Sequence, residues 1–87
     1  MNSSKNIIVT GAGKGIGFEL VKWFLAKNHK VWAISRNINK LNKIESDSLF
    51  TSSIDITNEY EIKNWVNGIK NLKFDILVNN AGYLINK

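Results

Sequence analysis

The sequence predicts an α/β fold, a doubly wound parallel sheet of four strands in strict alternation with three helices. Short apolar runs, typical of strands buried on both faces, alternate with segments in which apolar residues recur at helical spacing. A glycine-rich turn at residues 10–17, Thr-Gly-Ala-Gly-Lys-Gly-Ile-Gly, stands between the first apolar run and the first helical segment. Alternation at this spacing favours parallel strands joined by right-handed crossovers.

The first two strands and the helix between them have the clearest signals. A strand is predicted over 6–10, with the continuously apolar centre 7–9. We expect the following helix to end at Asn28 or His29, because asparagine tolerates the left-handed conformation of a C-terminal cap. The second strand is predicted over 31–34. The apolar face of the helix is predicted to consist of Ile16, Leu20, Val21, Phe24 and Leu25.

The second half repeats the alternation with weaker signals. A short helix is predicted over 37–44 and a third strand over 48–54. Asn58 and Glu61 have the spacing of an N-terminal capping pair for the third helix. The fourth strand is predicted over 75–79. The inner face of the third helix is predicted to consist of Ile62, Trp65, Val66, Ile69 and Leu72.

Length, charge and cysteine content limit the classes of function. The 87 residues suffice for one small domain, 1–87, and no cysteine is present to cross-link it. The net charge of +5 comes from scattered lysines, whereas a nucleic-acid interface clusters basic and aromatic residues. The polar N-terminus is unlike a signal peptide, and no apolar run reaches the ~20 residues of a membrane span. We therefore expect a cytoplasmic protein that binds neither nucleic acid nor membranes, and no metal site at the single histidine, His29.

The glycine-rich turn is the strongest functional signal. A turn of this kind between a strand and a helix lets the backbone approach a phosphate, and the helix N-terminus offers it unpaired N–H groups. The spacing of Gly11, Gly15 and Gly17 differs from G-x-G-x-x-G, and Lys14 is not followed by the Ser or Thr of a P-loop. Ligands of such sheets bind at the carboxyl ends of the strands. Four candidate contacts follow strand ends, namely Gly11, Arg36, Asp55 and Asn79.

Three motifs, in this order and spacing, resemble the short-chain dehydrogenase/reductase family across essentially the whole chain. They are Thr10-Gly11 with Gly15-x-Gly17, then Asp55-Ile56, then Asn79-Asn80-Ala81-Gly82. The resemblance implies a Rossmann-like sheet with strand order 3-2-1-4. It also implies that Gly11 and Gly15 shape the pyrophosphate turn, which the amide of Ile16 approaches.

The resemblance assigns further roles at the strand ends. Asp55 would accept a hydrogen bond from the adenine amino group, with Ile56 beside it. The adenosine ribose would be lined by Asn79, Ala81 and Gly82. Thr10 and Asn79 would tie the end of the first strand to the fourth. Considered without the resemblance, Asp55 is more simply interpreted as an acid that caps a helix or stabilises a turn.

Charge predicts the choice of cofactor. NAD-binding sites usually carry an acid after the second strand, which binds the 2′-hydroxyl of the ribose. Ser35 and Arg36 stand there instead, and Lys14 lies in the glycine turn. Two cations and a hydroxyl suit a 2′-phosphate, so NADP(H) is predicted over NAD(H). The alternative is that Arg36 is simply a solvated residue at the start of a helix.

The catalytic residues implied by the family lie outside these motifs. The resemblance implies hydride transfer between a nicotinamide and a carbonyl or alcohol, with a serine, a tyrosine and a lysine well downstream of Asn79-Asn80-Ala81-Gly82. Tyr83 and Lys87 have the Tyr-x-x-x-Lys spacing but come too early, so no catalytic residue is predicted. We expect a fragment, the cofactor-binding half of an oxidoreductase, inactive by itself and with an open edge at the fourth strand that can self-associate. The full-length protein would be a homo-oligomer. The alternative is a nucleotide-binding module or remnant without catalysis.

Overall fold

The computed structural model describes residues 4–80, which form one parallel sheet flanked by helices. The strands are β1 (Asn6–Thr10), β2 (Lys30–Ser35), β3 (Leu49–Ser53) and β4 (Ile76–Asn79). Their order across the sheet is β3-β2-β1-β4, and every neighbouring pair is parallel. The predicted strand order is therefore confirmed. Within the described residues, β3 and β4 form the two edges.

Residues 4–80 contain two α-helices, α1 (Gly15–Ala26) and α2 (Glu59–Ile69), so the prediction of three helices is wrong. The segment expected to form a helix over 37–44 contains only a 3₁₀ turn at Leu41–Lys43. The apolar residues Ile38, Leu41 and Ile44 recur every three positions, which matches the three residues per turn of a 3₁₀ helix, and the chain returns to extended backbone at Ile44. Leu41, fully buried, still anchors the segment to the core.

The core lies between the sheet and α1. Side chains of β1 and β2 alternate between the two faces, so that Ile7, Val9, Val31 and Ala33 meet α1, and each is fully buried. On the opposite face Trp32 stacks on Phe50 of the edge strand, with ring centroids 4.6 Å apart. β2 is buried on both faces, as its continuous apolar run predicts.

The two helices have different roles in packing. Val21 of α1 is fully buried in the core, but Ile16 is 72% exposed, so its predicted place on the buried face is wrong. Ile16 occupies the first turn of the helix, where α1 begins beyond the carboxyl ends of the strands. None of the described residues of α2 is buried, and Leu72 follows the helix end. The apolar side of α2 instead borders a groove of about 410 Å³ against the sheet.

The helix ends lie near their predicted positions. The helix α1 ends at Ala26, two residues before the predicted Asn28, and Asn28 has φ 70°, the left-handed conformation expected of a C-terminal cap. Asn58 caps α2, because its Oδ1 accepts from the N–H groups of Tyr60 at 3.0 Å and Glu61 at 3.2 Å. His29 lies in the loop before β2, where its Nδ1 accepts from the Lys5 N–H at 3.0 Å. In the part of the chain that the structure describes, no helix has the length and apolarity to cross a membrane.

Candidate functional site

An open cleft of about 780 Å³ lies at the carboxyl ends of β1, β2 and β3. The glycine turn forms one wall and the segment after β2 forms another. Ile34, Ile54 and Ile56 supply apolar surface, so the cleft offers both apolar contacts and charge. Its lining residues are Gly11, Gly13, Lys14, Gly15, Ile16, Ile34, Ser35, Arg36, Asn37, Asn39, Lys40, Ile54, Ile56 and Asn80.

The glycine turn has the backbone that its sequence predicts. Gly11 and Gly15 have φ values of 62° and 61°, in the left-handed region that side chains with a Cβ rarely adopt. Between them, the Ala12 N–H donates to the Ile34 carbonyl at 3.0 Å, which fastens the turn to β2. Ala12 itself is fully buried, so the turn is part of the core and not a loose surface loop.

Two other glycines permit close packing around the turn. A Cβ at Gly17 would overlap the Gly11 carbonyl oxygen and the Asn80 Nδ2. A Cβ at Gly13 would overlap Ser35 Oγ and the Asn37 carbonyl oxygen. Gly13 was not among the sequence-predicted site residues, because its role depends on the segment after β2, which sequence spacing alone does not place. Because Gly13 and Gly17 have no side chains, the turn can pack directly against the segment after β2 and against Asn80.

The N-terminus of α1 faces the cleft with unpaired donors. Lys14 is its N-terminal cap residue with φ −162° and ψ 170°, and among residues 4–80 its side chain makes no capping hydrogen bond. Gly15 and Ile16, the first two helical residues, line the cleft. The first turn of α1, all of it described, contains no acid that would repel an anion. Free N–H groups at the positive end of a helix dipole form an anion site.

The end of β4 is tied to the glycine turn by short hydrogen bonds. Thr10 Oγ1 lies 3.0 Å from Asn79 Oδ1 and accepts from the Asn80 N–H at 2.9 Å. The Asn80 side chain donates through Nδ2 to the Gly11 carbonyl at 3.1 Å. The contact between Thr10 and Asn79 agrees with the expected tie between the first and fourth strands. Asn80 was not among the predicted contacts, although its place in the Asn-Asn-Ala-Gly motif was a usable signal.

The lining of the cleft is basic. Lys14 and Arg36 both line it, and Ser35 lies against Gly13 of the glycine turn. Lys40 joins them, and its Nζ also lies 4.8 Å from the ring centroid of Phe18. The sequence did not single out Lys40, because the prediction of a helix over 37–44 gave no reason to turn it toward the cleft. Three cations around one cleft attract a polyanionic ligand.

Asp55 is the site residue whose surroundings differ most from expectation. Its Oδ1 accepts from the Thr57 N–H at 2.9 Å and the Thr57 hydroxyl at 2.6 Å, the arrangement of an Asx turn. Its Oδ2 lies 3.9 Å from Arg36 Nη2, so a carboxylate stands near Arg36 although no acid follows the second strand in the sequence. The Thr57 hydrogen bonds, and to a smaller extent the Arg36 charge, lower the pKa of Asp55 below its usual value.

Seven of the predicted site residues line one cleft, namely Gly11, Lys14, Gly15, Ile16, Ser35, Arg36 and Ile56, whereas Thr10, Gly17, Asp55 and Asn79 are not part of its lining. Ile56 lines the cleft, but Asp55 lines a neighbouring polar hollow together with Thr57 and Asn58. Its role as a turn acid, the simpler interpretation, is met by the Thr57 contacts, and its Oδ2 remains on the side of Arg36. Ala81 and Gly82, the other predicted ribose contacts, lie outside the described residues.

A parallel sheet in the order 3-2-1-4, with a glycine turn and a basic cleft at its carboxyl ends, defines a dinucleotide-binding fold. The family model for short chain dehydrogenases matches residues 5–87. The chain therefore belongs to the short-chain dehydrogenase family, as the three motifs indicate.

Curated relatives agree with this assignment. An uncharacterised oxidoreductase of Schizosaccharomyces pombe is 35% identical over 82 residues, which are 88% of this chain and 27% of the relative. An NADP-dependent 3-hydroxy acid dehydrogenase of Escherichia coli is 32% identical over 81 residues, covering 87% of this chain and 33% of the enzyme. The chain thus spans about a third of the length of the curated relatives it matches.

Solved structures with bound cofactors have the same fold. A 4-hydroxyisoleucine dehydrogenase complexed with NADH superimposes with a TM-score of 0.82 at 35% identity, over 91% of this chain and 34% of that one. A short-chain dehydrogenase/reductase from Burkholderia multivorans with bound NADP gives a TM-score of 0.81 at 27% identity, over 92% of this chain and 37% of that one. Proteins similar to this chain thus include both NADH and NADP complexes.

Proposed function

We propose that residues 1–87 form the N-terminal, dinucleotide-binding portion of an NADP(H)-dependent oxidoreductase, which transfers a hydride between the nicotinamide and a small carbonyl or alcohol substrate. The observation that carries the proposal is the glycine turn, held between β1 and β4 by Thr10, Asn79 and Asn80 and facing a basic cleft. The bound nicotinamide supplies or accepts the hydride. We assign no catalytic residue within 1–87 and expect this chain alone to bind cofactor without turnover.

The residues of the cleft fit the parts of the cofactor. Positive φ at Gly11 and Gly15 and the crowding at Gly17 leave backbone, not side chains, facing a pyrophosphate beside the α1 N-terminus. Ile56 and Asp55 are proposed to meet the adenine. Asn79, with Ala81 and Gly82, is proposed to meet the adenosine ribose.

The proposed preference for NADP(H) is supported by the basic lining of the cleft. Arg36 can bind a 2′-phosphate with paired donors, and Ser35 and Lys14 line the same cleft. Asp55 competes for Arg36, but their separation of 3.9 Å and the 75% exposure of the arginine side chain make that ion pair weak. A phosphate dianion forms stronger, charge-assisted hydrogen bonds with a guanidinium than this long contact provides.

Cofactor titration tests the proposal. NADP⁺ and NAD⁺ are titrated by calorimetry into the wild type, Arg36→Ala and Lys22→Ala, an exposed lysine outside the cleft. Loss of one charge-assisted contact should weaken NADP⁺ binding about 10- to 100-fold in Arg36→Ala and leave NAD⁺ binding nearly unchanged. Equal or tighter NAD⁺ binding by the wild type would refute the preference, and binding of neither would refute the dinucleotide site. Sequencing the gene past the codon for Lys87 separates an oxidoreductase from a non-catalytic binding module. A reading frame that continues into a serine-bearing strand and a Tyr-x-x-x-Lys helix would support the oxidoreductase.

The partners and location follow from the same proposal. We propose homo-oligomerisation of the full-length protein and, for residues 1–87, association through the β4 edge. Leu77 on that strand is 64% exposed, which supports the second point because apolar edge strands favour pairing with another chain. A cytoplasmic location remains a prediction from composition.

A further inference from the structure

The carboxylate of Glu61 makes a contact that its position in α2 does not require. Glu61 stands in the first turn of the helix, and its Oε1 reaches back to accept the Asp55 N–H at 2.9 Å in a partly buried hydrogen bond. Its Oε2 lies 3.3 Å from Asn58 Nδ2. In an ordinary capping box this carboxylate would accept from the N–H of the cap residue itself. Here the Asn58 N–H donates to the Asp55 carbonyl at 2.9 Å, which leaves Glu61 to bind three residues farther back.

These contacts fix every polar group of Asp55 except one carboxylate oxygen. Its N–H is held by Glu61, its carbonyl by the Asn58 N–H, and its Oδ1 by both donors of Thr57. The remaining oxygen, Oδ2, is the atom that lies 3.9 Å from Arg36. A surface turn needs only one or two such bonds, so the arrangement holds one oxygen in a defined place at the edge of the cleft.

We propose that Glu61 is a positioning residue for adenine recognition, acting through the backbone of Asp55. By holding the Asp55 N–H, Glu61 fixes where Oδ2 can accept from the adenine amino group and where Ile56 forms the wall of the cleft. This inference rests on the proposed dinucleotide site. It predicts that Glu61 governs discrimination between bases, whereas Arg36 governs discrimination at the 2′-phosphate.

The test compares NADP⁺ with its hypoxanthine analogue, in which oxygen replaces the adenine amino group. The chain is expressed with whatever natural sequence adjoins it, and the ratio of the two dissociation constants is measured by calorimetry. In the wild type, a hydrogen bond to a carboxylate should favour adenine by about tenfold or more. Glu61→Gln keeps an oxygen that can reach the Asp55 N–H, and we expect it to retain this ratio.

Glu61→Asp separates reach from charge. It keeps the negative charge near the N-terminus of α2 but is one methylene too short to hold Asp55, so we expect its ratio to fall toward one. Glu59→Ala is the matched control, because Glu59 is the other acid in the first turn of α2. We expect Glu59→Ala to change the ratio less than twofold, whatever its effect on helix stability.

The outcomes distinguish this inference from the proposed function. A wild type that binds neither dinucleotide overturns the proposed function. Binding of both without preference for adenine, or an unchanged ratio in Glu61→Asp, overturns the role of Glu61 alone. A pattern in which Glu61→Asp resembles the wild type and Glu61→Gln does not would show that the charge matters and the reach does not, which also overturns it.

Discussion

Replacing Gly17 by alanine tests how closely α1 approaches the glycine turn. In an exposed helix this change stabilises by about 1 kcal/mol, because glycine is the poorer helix former. At position 17 the new Cβ would overlap the Gly11 carbonyl oxygen and Asn80 Nδ2, and the carbonyl belongs to backbone that cannot rotate away. Overpacking of this kind costs about 1–3 kcal/mol. Loss of the 3.1 Å hydrogen bond from Asn80 to Gly11 costs about 1 kcal/mol more.

The expected net result is a loss of about 1–3 kcal/mol in the free energy of unfolding, with weaker cofactor binding. Gly68→Ala is the matched control, since nothing lies within 4 Å of a Cβ added at this exposed position of α2. It should stabilise by about 0.5–1 kcal/mol, the lower value reflecting its place near the helix end. Urea unfolding measures both variants. If Gly17→Ala stabilises as much as Gly68→Ala, the close approach of α1 to the turn is refuted.

Three further predictions concern separate features. Asn28→Gly should raise the free energy of unfolding by about 0.5–1 kcal/mol in urea melts, because glycine adopts φ 70° without strain; destabilisation would contradict this. The lowered pKa of Asp55 makes its contribution to stability present above pH 3.8 and lost as pH falls through the folded value, so acid should destabilise the wild type more than Asp55→Asn; parallel pH profiles would refute it. Leu77→Lys should reduce self-association of the 87-residue chain in sedimentation velocity, and an unchanged profile would exclude β4 as the contact.

The strands were predictable because their signals are local and repeated. The apolar run 31–34 specifies a strand buried on both faces, and that is what β2 becomes. The prediction of a helix over 37–44 is wrong because its apolar residues, Ile38, Leu41 and Ile44, recur every three positions, a spacing that a short 3₁₀ turn satisfies without an α-helix. Ile16 fits the apolar period of α1, yet it lies beyond the carboxyl ends of the strands and is exposed, because no core residues cover it there.

The site was predictable where a motif specifies backbone shape, and less so where loops meet. The left-handed conformations of Gly11 and Gly15 follow from the need for glycine in the turn. The approach of Asp55 to Arg36 and the reach of Glu61 to the Asp55 N–H depend on how the loops after β2 and β3 lie side by side. The spacing of residues along the chain carries no information on the distance between these two loops. Lys40 and Gly13 were missed for the same reason, because their roles depend on where the segment after β2 lies.

The bonds between Thr10 and the end of β4 join residues 69 and 70 positions apart in the chain. A nascent chain that has released the glycine turn and α1 therefore carries the glycine-rich sequence without the asparagines that hold it in shape. Because synthesis adds ~5–20 residues per second, this interval lasts several seconds at the slower rates. A cofactor could therefore bind the completed turn only after Asn80 has been synthesised. Although the glycine turn lies near the N-terminus, it is among the last parts of this region to reach its final structure.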